Sequence, residues 1–367
     1  MGMDRASYRG CLLGMAVGDA MGAPVESKRY PEICEAYGPQ GLRGFDTANG
    51  LAEISSYTQI ALFACNGLLL SVARGHMDAP KGMKHLALAL KEWARVQHLP
   101  RSPERRFCWV GRVSKLRRRR IMDARTLDAL TREALGTPGK PANQGAGPGT
   151  LSAAVAVGLY FHPDRMGFQE IGWMGAQAVA LTHGDPLTFL SGAALAYITA
   201  GLVHAPECPV DEQILQAGQT VLTQFSGMFP QAARLNMMLK DTVRLARNPE
   251  QPHQRVMEQL ECLSAAQVLC GAVYAVLVSG GNADETMITA VNHSGKSAAV
   301  AAIAGALLGL SQGEEALPEF YLESLEGAEY IRELASDLCT AGPKGWRTRL
   351  FDDEWDRKYT QGLPREI

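Results

Sequence analysis

Apolar residues along this chain recur at the three-to-four spacing of helices, and convincing strand-like alternation is absent throughout. The spacing predicts a helix over 4–22. Gly10, Gly14, Gly18 and Gly22 return there at every fourth position, leaving one face bare for a second helix or a ligand. Gly22-Ala-Pro-Val25 then breaks it. Ser55-Ser56 cap a second helix whose apolar repeat is Ile60, Phe63, Ala64, Gly67 and Leu68. Residues 84–98 read as an amphipathic helix with Trp93 in the core, and 151–161 and 171–181 as small-residue apolar helices. From 187 to 310 the helical pattern continues, broken at Pro206–Pro209, Pro230, Pro249–Pro252 and Gly280–Asn282. A last helix, acidic on one side and apolar on the other, is expected over 319–340. The fold class is all-α, a compact bundle of many helices, and no repeat of solenoid length is visible.

The polar breaks hold the candidate chemistry. Glu26 follows the first of them, where a carboxylate is either a solvated group or a general base. Residues 27–53 read as a loop rich in Gly, Pro and polar groups. In 134–150, Gly145, Gly147 and Gly149 alternate, so the backbone can approach a phosphate or ribose, yet no strand precedes them as a nucleotide fingerprint requires. His183, in Leu181-Thr-His-Gly-Asp-Pro186, stands at a helix end, either packing there or facing a ligand. The turn Asn292-His-Ser-Gly-Lys-Ser297 feeds an Ala/Gly helix and can aim backbone N–H groups of Gly295, Lys296 and Ser297 at an anion. Arg117–Arg120 is the only dense basic run. With no interleaved aromatics, it suits a solvated or phosphate-facing surface rather than nucleic acid.

Composition narrows the picture. With 367 residues, 46% of them hydrophobic, the chain can bury a large core, and residues 1–367 are expected to form one domain with the 343–367 tail anchored to the body by Trp346 and Trp355. The net charge of −2 gives no global pull toward nucleic acid or anionic membrane. Eight cysteines without a C-x-x-C pair fit buried free thiols in a reducing compartment. No uninterrupted apolar span of membrane length is found, so a cytoplasmic location without membrane partner is expected.

Five stretches, Gly10–Glu26, Glu53–Leu70, Arg120–Leu159, Leu181–Leu202 and Val291–Gly309, resemble in order the signatures of the ADP-ribosylglycohydrolase family, which includes the dinitrogenase reductase-activating glycohydrolases. The resemblance implies a compact all-α fold with a cleft where these loops converge. It also implies hydrolysis of an N- or O-glycosidic bond to ADP-ribose with the help of two magnesium ions. Asp19, Glu26, Thr58, His183 and Asn292 match positions the family keeps.

At the metal positions the chain departs from the family. Where relatives read Thr/Ser-Asp-Asp-Thr-Gln it has Ser55-Ser56-Tyr57-Thr58-Gln59, and where they read Gly-Asp-Ser/Thr-Asp-Ser/Thr it has Gly295-Lys296-Ser297-Ala298-Ala299. Four aspartates thus become Ser56, Tyr57, Lys296 and Ala298. A lysine about 4 Å from a dication, at an effective dielectric near 20, is repelled by roughly 8 kcal/mol. No magnesium and no metal ligands are therefore expected, with Ser55, Ser56, Tyr57, Lys296, Ala298 and Ala299 standing at degenerate positions. The glycine loop likewise lacks the Lys and Arg that relatives carry. The expectation is a pseudoenzyme that binds a protein partner, or ADP-ribose or a related nucleotide, through Gly145, Gly147, Gly149, His183, Asn292, Gly295, Lys296 and Ser297. The alternative is metal-free hydrolysis, with Glu26 or Asp19 as general base and Lys296 stabilising developing negative charge. A further possibility is a closed cleft plugged by Tyr57.

Overall fold

The structure, a computed structural model, describes residues 5–47, 50–76, 78–98, 106–248, 250–341 and 352–360. In chain order its helices begin with α1 (Arg5–Gly22), α2 (Tyr30–Tyr37), α3 (Ser56–Ala73), α4 (Ala79–His98), α5 (Trp109–Arg112) and α6 (Ala124–Thr131). Next come α7 (Ala153–Tyr160), α8 (Pro163–Met166), α9 (Phe168–Ala180), α10 (Pro186–His204), α11 (Val210–Phe225) and α12 (Gln231–Arg247). The last are α13 (His253–Gln259), α14 (Ala265–Val278), α15 (Ala283–Val291), α16 (Ser297–Gln312), α17 (Glu319–Ser324), α18 (Ala328–Ala341) and α19 (Asp353–Thr360). Among the described residues there is no strand, only isolated bridges between Ala52 and Leu325 and between Thr137 and Lys140.

The glycine period of α1 explains the centre of the bundle. A Cβ on Gly10 would lie 2.2 Å from the Gly309 carbonyl oxygen, one on Gly14 2.2 Å from that of Gly305, and one on Gly18 2.0 Å from that of Ala301. As α1 numbers rise, α16 numbers fall, so the helices run antiparallel with their backbones in contact. Only glycine permits this approach. From Ser297 to Leu310 every residue of α16 is buried. The helices α3 and α10 are long and apolar enough to cross a membrane by length and composition, but 89% and 78% of their apolar windows are buried in this core.

Three details differ from the sequence pattern. The 27–53 stretch contains α2, started by Pro31 and by Glu32, whose carboxylate accepts from the Arg29 amide at 2.8 Å. The helix expected over 319–340 is split into α17 and α18, because the Ala52 amide donates to the Ser324 carbonyl and the Glu326 amide donates to the Ala52 carbonyl across the gap, and Gly327 takes φ +71°. The tail contributes α19, whose Trp355 and Tyr359 are buried, while Trp346 lies outside the described residues. Trp93 is fully buried and donates to Gln59 Oε1 at 3.1 Å. All eight cysteines are free thiols.

Candidate functional site

The α1–α16 contact delivers Glu26 to the N-terminus of α16. Its Oε2 accepts from the Ala298 amide at 2.7 Å and its Oε1 from the Tyr57 hydroxyl at 3.1 Å. Lys296 Nζ stands 3.9 Å from the same Oε1 and donates to Ser27 Oγ at 2.8 Å. The backbone around this lysine is strained. Ser27, Glu261 and Cys262 are the non-glycine residues with positive φ among those described, at 63°, 59° and 51°. All three touch the lysine turn: the Ser27 amide donates to the Gly295 carbonyl, the Lys296 amide donates to that of Cys262, and a Cβ on Gly295 would meet the Glu261 carbonyl at 2.5 Å. Such strain concentrates where structure serves function.

Burial raises the Glu26 carboxyl to about 7, against the lowering effect of the Ala298 amide, Lys296 and Tyr57. The folded state therefore holds this proton more tightly than the unfolded chain. The resulting contribution to stability is greatest below about pH 4.5 and is lost as pH rises through about 7. Relative to Glu26→Gln, the native chain should lose on the order of 2 kcal/mol between pH 5 and pH 8, read by urea melts at both values. A difference that does not change with pH would contradict the burial of this carboxylate.

Asp19, fully buried, organises the start of α3. Its oxygens accept from the amides of Ser55 at 2.8 Å and Thr58 at 3.2 Å and from the hydroxyls of the same two residues at 2.5 Å each. Burial raises its carboxyl and these four donors oppose the shift. Ser55 in turn caps the Tyr57 amide at 3.2 Å. Ser56 and Tyr57 thus begin a helix whose first turn is held by Asp19.

The alternation of the glycine loop has a local cause, since the loop wraps the His183 ring. A Cβ on Gly145 would lie 2.8 Å from His183 Cδ2, and one on Gly149 2.6 Å from Cε1. Fully buried, His183 sits between Thr182 Oγ1, 2.8 Å from Nδ1, and Asp123 Oδ2, 2.8 Å from Nε2. The hydrogen bond from His183 is the largest cause holding the Asp123 carboxyl below its ordinary value. Asp123 also caps α6 through the Arg125 amide at 3.2 Å, and its side chain is 34% exposed.

These elements enclose an open cavity of about 940 Å³. Of the sequence candidates, Glu26, Ser55, Ser56, Tyr57, Gly147, Gly149, Lys296 and Ala298 line it, so the cleft is not plugged by Tyr57. Asp19, Gly145, His183, Asn292, Gly295, Ser297 and Ala299 are not in its wall. Asn292 instead ties residue 42 to α15, accepting from the Leu42 amide and donating to the carbonyls of Leu42 and Ile288, each at 2.8 Å. Ser297 is buried, with its hydroxyl 3.5 Å from the His293 carbonyl.

The pattern reading did not select Asp123, Arg119, Arg125, Ser264 or Gln267, all of which line the cavity. Its pointers to this wall were the basic run and the Arg120–Leu159 stretch, which contains Asp123 and Arg125. Arg120 pairs with Glu53 at 2.7 Å and with buried Glu326, and Arg118 pairs with the same two carboxylates at 2.9 and 3.3 Å. Pinning both neighbours leaves the exposed Arg119 on the cavity wall. Ile121 beside it is 98% exposed and Leu263 opposite is 53% exposed.

The molecule is an all-α bundle with a loop-walled cleft at the meeting of α1, α3 and α16. A family model described as ADP-ribosylglycohydrolase matches residues 3–347, and the chain belongs to that family. It is 25% identical over 338 residues to an uncharacterized protein of Archaeoglobus fulgidus, covering 90% of this chain and 95% of that one. A solved structure titled ADP-ribosylglycohydrolase-related protein complex is similar in fold, with a TM-score of 0.53, 20% identity, and coverage of 91% of this chain and 97% of that one.

Proposed function

We propose that this protein binds an ADP-ribose-like ligand in the 940 Å³ cavity and does not carry out magnesium-dependent glycohydrolysis, being a pseudoenzyme toward that reaction. One observation carries the reading: the Tyr57 phenol and the Lys296 ammonium both sit on the Glu26 carboxylate, where a dication would need hard anionic oxygens. Ser56, Tyr57, Lys296 and Ala298 offer hydroxyls, an ammonium and a methyl group. Among the described residues no three His, Cys, Asp or Glu side chains are grouped to hold a metal. A pair of magnesium ions does not fit this donor set.

The cavity lies within the size range of small-molecule sites. Its charged wall has Arg119, Arg120, Arg125 and Lys296 against Glu26, Glu53 and Asp123, an excess of one cation. With Arg120 and Lys296 already paired, Arg119 and Arg125 are the groups best placed to meet phosphate oxygens. Calorimetry with ADP-ribose should give the same dissociation constant in magnesium and in EDTA, and Arg119→Ala should weaken it about tenfold, worth about 1.4 kcal/mol. Absence of binding would end the ligand reading.

The protonation of Glu26 favours a second reading. A carboxyl raised to about 7 beside a cavity is suited to proton transfer at neutral pH, so metal-free hydrolysis is the alternative use of the site.

A further inference from the structure

We infer that Lys296 captures its ligand covalently, its amine forming an imine with the open-chain aldehyde of a phosphate-bearing sugar held in the cavity while Glu26 carries the protons. The inference rests on the cavity being the ligand site and deepens that reading by naming the bond that holds the ligand.

Among the described residues Lys296 is the only lysine on the cavity wall. It is the N-cap of α16, its amide donating to the Cys262 carbonyl at 2.8 Å and its carbonyl accepting from the Val300 amide at 2.9 Å. The strained backbone at Ser27, Glu261 and Cys262 clamps the same turn, so the stem of the side chain starts from a fixed point.

This is an unfavourable place for a cation, because an ammonium at a helix N-terminus meets the positive end of the dipole. The neighbouring carboxylate does little to offset that. Its Oε2 accepts from the Ala298 amide and its Oε1 from the Tyr57 hydroxyl, while Nζ stands 3.9 Å from Oε1, beyond hydrogen-bond length. Nζ donates instead to the neutral Ser27 hydroxyl at 2.8 Å. A lysine placed for its charge alone would close on the carboxylate. One whose amine reacts needs what this site has: a side chain 34% exposed on an open cavity, with a proton carrier a short movement away. Burial raises Glu26 to about 7, so near neutral pH both of its forms are present to take and return protons.

The wall also selects the class of carbonyl compound. Arg119 and Arg125 suit phosphate oxygens, and the amine requires an aldehyde, a pair of demands met by a phosphorylated aldose whose ring opens.

The step balances without an oxidant or reductant. Ionised Glu26 takes a proton from the ammonium, and the freed Nζ lone pair bonds the aldehyde carbon. The C=O π pair moves to oxygen, which takes that proton from Glu26. A second proton passes from nitrogen through Glu26 to the same oxygen. The nitrogen lone pair then closes the C=N bond as the C–O bond breaks and water leaves. One ammonium and one aldehyde give one protonated imine and one water, with Glu26 back in its starting state.

The test incubates the full chain with ADP-ribose, whose terminal ribose opens to an aldehyde, adds cyanoborohydride to reduce any imine, and maps the adducts by mass spectrometry of peptides. Labelling at Lys296 should be about tenfold or more faster than at Lys140 and Lys240, which are exposed on the surface. Lys296→Arg, which keeps the positive charge, should abolish it, and Glu26→Gln should slow it about a hundredfold. Thermal melts confirm that each variant is folded, and calorimetry measures ADP-ribose binding in parallel. Binding without an adduct at Lys296, labelling there no faster than at Lys140 and Lys240, or a native rate in Glu26→Gln overturns the inference and leaves the ligand reading standing. No binding together with no preference for Lys296 overturns both.

Discussion

Gly18→Val is expected to destabilise the protein by about 3 kcal/mol or more, enough to deplete soluble folded chain at physiological temperature. The added Cβ would lie 2.0 Å from the Ala301 carbonyl oxygen and 2.5 Å from its carbon, both backbone atoms of α16. No side chain can turn aside. The helices would have to separate, and the contacts at Gly14–Gly305 and Gly10–Gly309 would open with them. Because the same contact holds Glu26 against the Ala298 amide, the cavity wall would shift too. Gly139→Ala, at a position with nothing within 4 Å of an added Cβ, is the control and should stay within about 0.5 kcal/mol of the native chain. Equal stability of the Gly18 variant and its control in urea would refute backbone contact between α1 and α16.

Asp19→Ala should cost about 3 kcal/mol. It strips a buried acceptor from two amides and two hydroxyls at the start of α3, and buried donors left without partners are expensive. Asp19→Asn retains an acceptor oxygen and should recover part of the loss. Urea melts measure both variants, and calorimetry with ADP-ribose separates two roles for the residue. A structural anchor loses stability, with affinity falling only as the Ser55–Tyr57 turn loosens. A general base or ligand contact would instead leave stability near native while abolishing function, and that outcome would restore Asp19 to the chemistry.

The helical fold was legible because apolar period and glycine spacing act locally. The fourfold glycine repeat of α1 announced a close neighbour, and its complement in Gly305 and Gly309 lies on the helix that the late turn introduces. The division of the last helix was hidden, because it depends on Glu326 reaching Arg118, Arg120 and Ala52, contacts more than 200 residues apart in sequence. The glycine loop was conspicuous while its purpose was not: Gly145 and Gly149 make room for the His183 ring, and only Gly147 and Gly149 also reach the cavity. Asp123 escaped notice because a single aspartate ahead of a short helix looks like any cap. What distinguishes it is a histidine 60 residues later.

The departure of Ser56, Tyr57, Lys296 and Ala298 from the aspartates that the resemblance leads one to expect was readable in the sequence as a change of charge. What took their place needed coordinates: Lys296 turns to Ser27 and Glu26, Tyr57 donates to Glu26, and the cavity stays open.

Magnesium titration of the purified chain by calorimetry, with de-ADP-ribosylation of a modified protein followed in the same buffers, bears most directly on the cleft. A site furnished with Lys296 and Tyr57 should give no specific heat of magnesium binding and no turnover that magnesium restores after EDTA. Saturable uptake of two ions per chain, together with hydrolysis that appears only when they are present, would contradict it.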